Sequence, residues 1–165
     1  MSEDEEFLDE ATYATPGHLV RRASQLHSRI FDDEFGDRIT ARQFAVMLAI
    51  SRRPGVDQIT LSNVVAVDRT TIGGMVARLV ERGYVESVRD GRRKLLRVTG
   101  AGRQLLADLV PRIDNVTERL LAPLNERERA TLLALLTKVV SVEDPMFPEY
   151  QNFLTDALDG GSPHH

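Results

Sequence analysis

The sequence predicts a mainly α-helical chain that carries one small β-hairpin. Three observations carry that reading. Two short helical patterns, each opened by an aspartate, run from Asp57 to Gly83. A short hairpin pattern centred on Asp90-Gly91 follows between Val85 and Val98. Leucine-rich helical patterns lie on both sides of this block and are longer than a small domain needs for its own core.

In chain order, residues 1–14 read as an acidic flexible arm. Thr15-Pro16 opens a first helix, with Thr as N-cap and Pro at the first helical position, where its missing N–H costs nothing. Leu19, Ala23, Leu26 and Ile30 form its apolar stripe, extended by Phe31 and Phe35. His18, Arg22, Gln25 and Arg29 form a neighbouring polar stripe, with Arg21 beside it. Thr40-Ala41-Arg42-Gln43 is a capping box. Phe44, Val46, Met47, Leu48 and Ile50 then make the second helix apolar over most of its surface, which places it at the centre of the domain. Pro54-Gly55 closes it.

Asp57 is an N-cap for a short helix that carries Ile59, Leu61, Val64 and Val65 and stops near Ala66. Asp68 caps the next, accepting from the N–H of Thr70 or Thr71. Ile72, Met75, Val76, Leu79 and Val80 are one face of that helix, and Gly83 ends it. Its other face carries Arg69, Thr70, Gly73, Gly74, Ala77 and Arg78. Asp90-Gly91 suits a two-residue type I′ turn, which pairs Arg89 with Arg92 and Val85 with Leu96. Val85, Leu96 and Val98 share the inner face, while Arg89, Arg92 and Arg93 sit at the tip. Two helices and a basic hairpin in this order form a winged helix–turn–helix, a frame whose second helix enters the major groove of DNA.

Thr99 caps a long helix reaching about Leu121, lined by Leu105, Leu106, Leu109, Val110, Ile113, Val116 and Leu120 and kinked at Pro111. Asn125-Glu126-Arg127-Glu128 caps the last long helix, which carries Leu132, Leu133, Leu135, Leu136, Val139 and Val140 and ends near Asp144-Pro145. Phe147, Tyr150, Phe153 and Leu154 suffice for one short amphipathic segment. The expected organisation is an arm (1–14), N-terminal helices for dimerisation and core (15–56), a DNA-binding unit (57–98), C-terminal dimerisation helices (99–158) and a disordered tail (159–165). Twofold pairing sets two reading helices about one DNA turn apart, ~34 Å, and implies a pseudo-palindromic site.

Composition narrows the function. With no Cys among 165 residues, disulfides, thiolate metal sites and thiol-based peroxide sensing are excluded. No apolar run approaches the ~20 residues of a membrane span. The acidic start lacks the features of a signal peptide, so a cytoplasmic protein without a membrane partner is expected. Only His18 and His27 precede the tail, nine residues apart and on different helical faces, which argues against a metal sensor. No nucleophile–base pair or phosphate loop is evident, so neither an enzyme nor a cofactor is expected. The net charge of −4 is unevenly spread. Arg69 to Arg103 holds nine basic and three acidic residues, a net +6, and the remainder carries −10. A basic face on an acidic body fits phosphates. A winged helix serving protein contacts instead would expose apolar patches on the wing and recognition helix, whereas the outward residues here are basic and hydroxylic.

The segment VDRTTIGGMVARLVERGYVE and the Asp90-Gly91-Arg92 wing ahead of LLRVTGAG resemble the MarR family of bacterial transcription regulators over roughly residues 16–142. The wing is a few residues shorter than is common there. The resemblance therefore supports a major-groove role for residues 69–78 better than a minor-groove reach by Arg92. It implies double-stranded DNA and a second copy of the chain as partners. It places Arg69, Thr70 and Thr71 at bases and phosphates, Arg78 at the DNA backbone, Ser62 and Asn63 at phosphate, and Arg92, oriented by Asp90, at the wing tip beside Arg93. Arginine suits guanine O6/N7 bidentately, and hydroxyls suit phosphate. Gly73 and Gly74 admit two readings, close backbone approach to DNA or tight packing against another helix. For the arginines, the competing reading is a solvated face.

Many relatives release DNA when a small aromatic acid binds between the dimerisation helices and the reader. Pro16 to Arg22 resembles the start of the first helix in relatives that sense aromatic carboxylates or their thioesters, where an arginine holds the acid group. His18, Arg21 and Arg22 are the matching positions, with Gln25, His27 and Met47 as further candidates to line the cavity. The competing reading pairs the two arginines with acidic residues across the dimer and leaves His18 an ordinary first-turn residue. The expected function is a homodimeric repressor released by such an acid. The alternatives are a protein-interaction winged helix or a regulator without a small-molecule ligand.

Overall fold

The computed structural model describes residues 15–91 and 93–141. Helix α1 spans Pro16–Phe35 and is followed by a 3₁₀ turn, Gly36–Arg38. Helix α2 (Ala41–Arg52) leads into a two-residue strand β1 (Val56–Asp57) and the short helix α3 (Gln58–Val64). Then come α4 (Arg69–Glu81), the hairpin strands β2 (Val85–Asp90) and β3 (Arg93–Val98), α5 (Gly100–Leu109), a 3₁₀ turn (Val110–Arg112), α6 (Ile113–Leu121) and α7 (Glu126–Ser141). None of the described helices is long and apolar enough to cross a membrane.

Local chemistry sets most of these boundaries. The Thr40–Gln43 capping box forms with both of its bonds. Asp57 accepts from the N–H groups of Ile59 and Thr60, each at 2.9 Å, and Asp68 from that of Thr71 at 2.9 Å. Asn125 and Glu128 form a second reciprocal box at the start of α7. Gly83 takes φ 73° after α4, with Tyr84 N–H on the Leu79 carbonyl and Gly83 N–H on that of Val80. That is the Schellman closure, which satisfies carbonyls the helix end would orphan. Pro111 breaks the predicted long helix into α5 and α6 through a 3₁₀ turn.

α2 is the central helix: Phe44, Val46, Met47, Leu48, Ala49 and Ile50 are all buried. Ile72, Met75, Val76 and Leu79 of α4 pack into the same core, with Leu105, Leu106 and Leu109 of α5 and Ile30, Phe31 and Phe35 of α1. Val80, expected on the apolar face of α4, is exposed.

The sheet departs from the expected hairpin in two ways. It has three strands in the order β1-β3-β2, because Val56–Asp57 pairs antiparallel with Leu95–Leu96. The hairpin register sets Val85 opposite Val98 and Arg89 opposite Lys94, with Asp90 and Arg93 the last pair. Asp90 is therefore a strand residue rather than a turn residue, and the positive φ falls on Gly91, at 58°. The register differs from the expected one by two residues. Since side chains alternate with a period of two, Val85, Leu96 and Val98 still share the buried face.

Both ends of the described chain leave apolar side chains uncovered. Leu19 (54%) and Leu26, within the first three turns of α1, are exposed. α7 buries none of its residues, and Leu133, Leu135 (57%), Leu136 and Val139 (70%) stand in solvent. The acidic arm, the wing residue Arg92 and the segment from 142 onward, with its expected short amphipathic element and tail, lie outside the described residues.

Candidate nucleic-acid interface

α3 and α4 pack together across a turn centred on Ala66. Ala66 has φ 50° and is the one non-glycine residue with positive φ among the described residues. Its N–H reaches the Asn63 carbonyl, and the N–H of Val67 reaches that of Ser62 at 3.1 Å. Glycine usually fills such a helix end, because a Cβ is unfavourable there. The turn aims α4 with its apolar face on the core and its polar face outward.

That outward face holds most of the recognition residues expected from sequence. Arg69, Thr70 and Arg78 are exposed. Helical spacing puts Thr70, Gly74 and Arg78 in one row, with Arg69 and Gly73 in the next. A Cβ added at Gly73 would meet nothing within 4 Å, and one at Gly74 only the tip of Arg78 at 3.9 Å. Tight helix packing within the chain therefore does not explain the glycine pair. Thr71 is half-buried, and its hydroxyl donates to the Asp68 carboxylate at 2.6 Å, so it completes the cap.

Ser62 does not fit its expected role. It is buried, and its hydroxyl donates to the Ile59 carbonyl at 2.7 Å, so it faces the core rather than a phosphate. Asn63, its neighbour, is exposed. A seven-residue helix gives too short a pattern to tell which of two adjacent polar residues points inward.

The wing presents Arg89, Asp90, Arg93, Lys94 and Arg97, all exposed, while Arg92 lies outside the described residues. Arg89, Lys94 and Arg97 were not among the expected contact residues, although alternation turns Arg97 away from the face of Leu96 and Val98, and Arg89 and Lys94 lie near the hairpin tip, beyond the core. Arg89 stands directly opposite Lys94. Like charges facing each other across a strand pair are unfavourable, a cost that a polyanion relieves.

Both helix caps are electrostatically set. Asp57 is held below the ordinary aspartate range by the backbone N–H of Thr60, which outweighs the opposing effect of burial, with further help from the Thr60 hydroxyl, the Ile59 N–H and the charge of Arg93. Asp68 is lowered by the Thr71 hydroxyl first and then by the Thr71 N–H. Both carboxylates thus stay ionised at the positive ends of the two helices.

The expected effector residues divide. Arg21, Arg22 and Gln25 are exposed on the first half of α1, and neither arginine has an ion-pair or hydrogen-bond partner among the described residues. His18 is half-buried. His27 is half-buried against Phe31, with ring centroids 6.4 Å apart, and burial pushes its imidazole below the usual range. Met47 is fully buried in the core at 0% exposure and offers no surface to a ligand, which corrects its assignment to the cavity lining. Its place on an almost wholly apolar helix is the signal that marks it as core.

Comparison with known proteins fits this geometry. A sequence profile described as MarR family matches residues 39–94. The transcriptional regulator HosA from Escherichia coli is 32% identical over 127 residues, spanning 75% of this chain and 93% of the relative. The PcaV transcriptional regulator from Streptomyces coelicolor, solved in complex with its natural ligand, is 37% identical with a TM-score of 0.74, over 83% of this chain and 98% of that one. Bordetella bronchiseptica BpsR, whose DNA binding is regulated by 6-hydroxynicotinic acid, is 31% identical with a TM-score of 0.75, over 78% and 96%. A winged helix–turn–helix with a small three-stranded sheet, matched over nearly the whole length of such relatives, makes this chain a member of the MarR family of transcriptional regulators.

Proposed function

We propose that the chain is a homodimeric repressor that binds a pseudo-palindromic operator and is released from it by a small aromatic carboxylate or its thioester. In this reading residues 57–98 read DNA, and the flanking helices within 15–56 and 99–158 hold two copies together. The outward face of α4 carries the proposal: Arg69, Thr70, Gly73, Gly74 and Arg78 lie open beside a basic wing, over a closed core. Arg69 and Thr70, at the N-terminal end of α4, meet base edges and phosphate, and Thr71 holds the cap beneath them. Arg78 and Asn63 take the DNA backbone, and the wing basic residues Arg92 and Arg93 follow the adjacent groove, with Asp90 orienting them. The uncovered leucines of α1 and α7 supply the surface on which a second copy packs.

Two observations support an acidic effector. Arg21 and Arg22 are exposed cations without partners among the described residues, on a stretch of helix that also exposes Leu19 and Leu26. Guanidinium groups beside apolar surface suit an aromatic ring bearing a carboxylate. BpsR, a relative of similar fold, responds to such an acid. His18, Gln25 and His27 lie on the same helix and line the proposed cavity's polar side.

Arg69→Ala should weaken binding to a cognate duplex by about 1–3 kcal/mol in a folded dimer. Near-wild-type affinity, measured by anisotropy across a salt series, would sink the assignment. A thermal-shift screen with aromatic carboxylates and their coenzyme A thioesters tests the effector. A rise with one compound that is lost in Arg21→Ala/Arg22→Ala supports the pocket, and an equal rise in both proteins places the acid elsewhere.

A further inference from the structure

We propose that Arg82 is a positioning residue: it fixes the tilt of α4 against the dimerisation frame and thereby sets the half-site spacing the dimer accepts. This rests on the two-copy DNA-binding reading above. Arg82 follows the last turn of α4, where a cation is favoured by the helix dipole in any case. An ordinary arginine there bonds the carbonyls of its own helix. The guanidinium of Arg82 does not. Its Nη1 donates to the Arg38 carbonyl at 2.8 Å and its Nη2 to the Asp37 carbonyl at 3.1 Å, more than 40 residues upstream. Those carbonyls belong to the 3₁₀ turn that directly follows α1.

That turn is itself tied to the frame. Arg38 pairs with Asp108 of α5. One turn back along α1, Glu34 pairs with Arg112 at 2.9 Å and Asp33 with Arg119 of α6 at 3.1 Å. The C-terminal end of α4 has a second attachment on another side. The Thr99 hydroxyl donates to the Gly83 carbonyl at 2.6 Å, and the Thr99 N–H donates to that of Tyr84 at 3.0 Å. Gly102, one turn into α5, lies so close to Tyr84 and Val98 that any side chain there would run into them. A helix held at one point can pivot. Held at the same end by Thr99 to α5 and by Arg82 to the end of α1, its tilt is fixed. The tie to the end of α1 is also the route by which a change in α1 reaches the reading helix.

Arg82 is exposed, and its guanidinium lies 6.0 Å from the ring centroid of Tyr84 at the margin of the core and not inside it, so its removal leaves the buried core intact. Two N–H groups in a planar fork meet two consecutive carbonyls, which a lysine ammonium matches at one point only. The test uses the full chain and a duplex that the wild type selects from a randomised pool, alongside the same duplex with two base pairs inserted at its centre. Wild type should lose about tenfold or more on the lengthened duplex, because the two reading helices no longer register together. Arg82→Gln should bind the parent duplex somewhat more weakly and lose most of that discrimination, with Arg82→Lys between the two. A merely structural loss lowers both affinities in parallel and leaves their ratio untouched. If Arg82→Gln keeps the wild-type ratio, the inference is wrong and the DNA-binding reading stands. If wild type itself shows no spacing preference, the two-copy reading falls and takes this inference with it.

Discussion

The two surfaces this chain leaves open are opposite in kind. The outward face of α4 and the wing is basic, small and polar, and the side chains beneath it, Ile72, Met75, Val76 and Leu79, are covered. α7 and the first half of α1 are the reverse, with leucines and valines outward and no buried residue anywhere along α7. Exposed apolar area costs on the order of 25 cal/mol per Å² relative to burial, so the ends call for a cover, whereas the basic face is content in water until an anion arrives. In the proposed reading, recognition and assembly sit on different parts of the chain, coupled through α5 and the turn after α1.

The sharpest way to break that separation is to charge the apolar end. Leu135→Glu/Val139→Glu should leave each copy folded but dissociate the pair, and affinity for a two-half-site duplex should fall about 10²-fold or more as the second contact ceases to be intramolecular. Sedimentation and anisotropy on one sample check this, and an unchanged oligomeric state would show that α7 is not the seam. The reader can be altered with the opposite sign. Gly73→Ala and Gly74→Ala should each stabilise the fold by about 1 kcal/mol, since helix propensity rises and the space for a Cβ is open. The same changes should weaken operator binding if, as proposed, the open glycines let DNA approach the backbone. Variants that melt higher and bind as before would mean the glycines serve no contact.

Smaller still is the effect at the turn. Ala66→Gly should raise stability by up to about 1 kcal/mol, since φ 50° costs an alanine and not a glycine. Urea melts decide it, and a loss of stability would show that the alanine methyl packs usefully. The last difference is in acid. The Asp57 and Asp68 values are lowered by folding, so their contribution is complete above the ordinary aspartate range and is lost as pH falls below it through the folded values. His27 acts in the same direction: its buried neutral form is lost when acid charges it. Asp57→Asn/Asp68→Asn keeps capping without titrating, so its stability should fall less steeply in acid. Parallel acid limbs in the two proteins would remove the caps from the explanation.

What the sequence discloses here is what is local. Each cap at Thr40, Asp57, Asp68, Thr99 and Asn125 is a side chain bonding a backbone N–H within three residues, and each forms. The break at Pro111 is equally local. β1 is illegible because two residues, Val56 and Asp57, form a strand only where β3 happens to lie alongside. The hairpin register is misread because Asp90-Gly91 is the preferred pair for a tight turn, yet the pairing of Asp90 with Arg93 holds the aspartate in the strand. For the candidate site, the outward face of α4 follows from its period, whereas the burial of Ser62 depends on which side of α3 meets α4. The reach of Arg82 to Asp37 and Arg38 spans more than 40 residues and leaves no mark in the local pattern.

The wing is joined to the body at one end only. β2 buries Val85 and nothing beyond it, so the outer five residues of that strand add no core. Insertions or deletions between Ser87 and Lys94 therefore leave the domain's stability almost untouched. If the wing follows the neighbouring groove as proposed, its reach is a length that can change without unsettling the rest of the regulator.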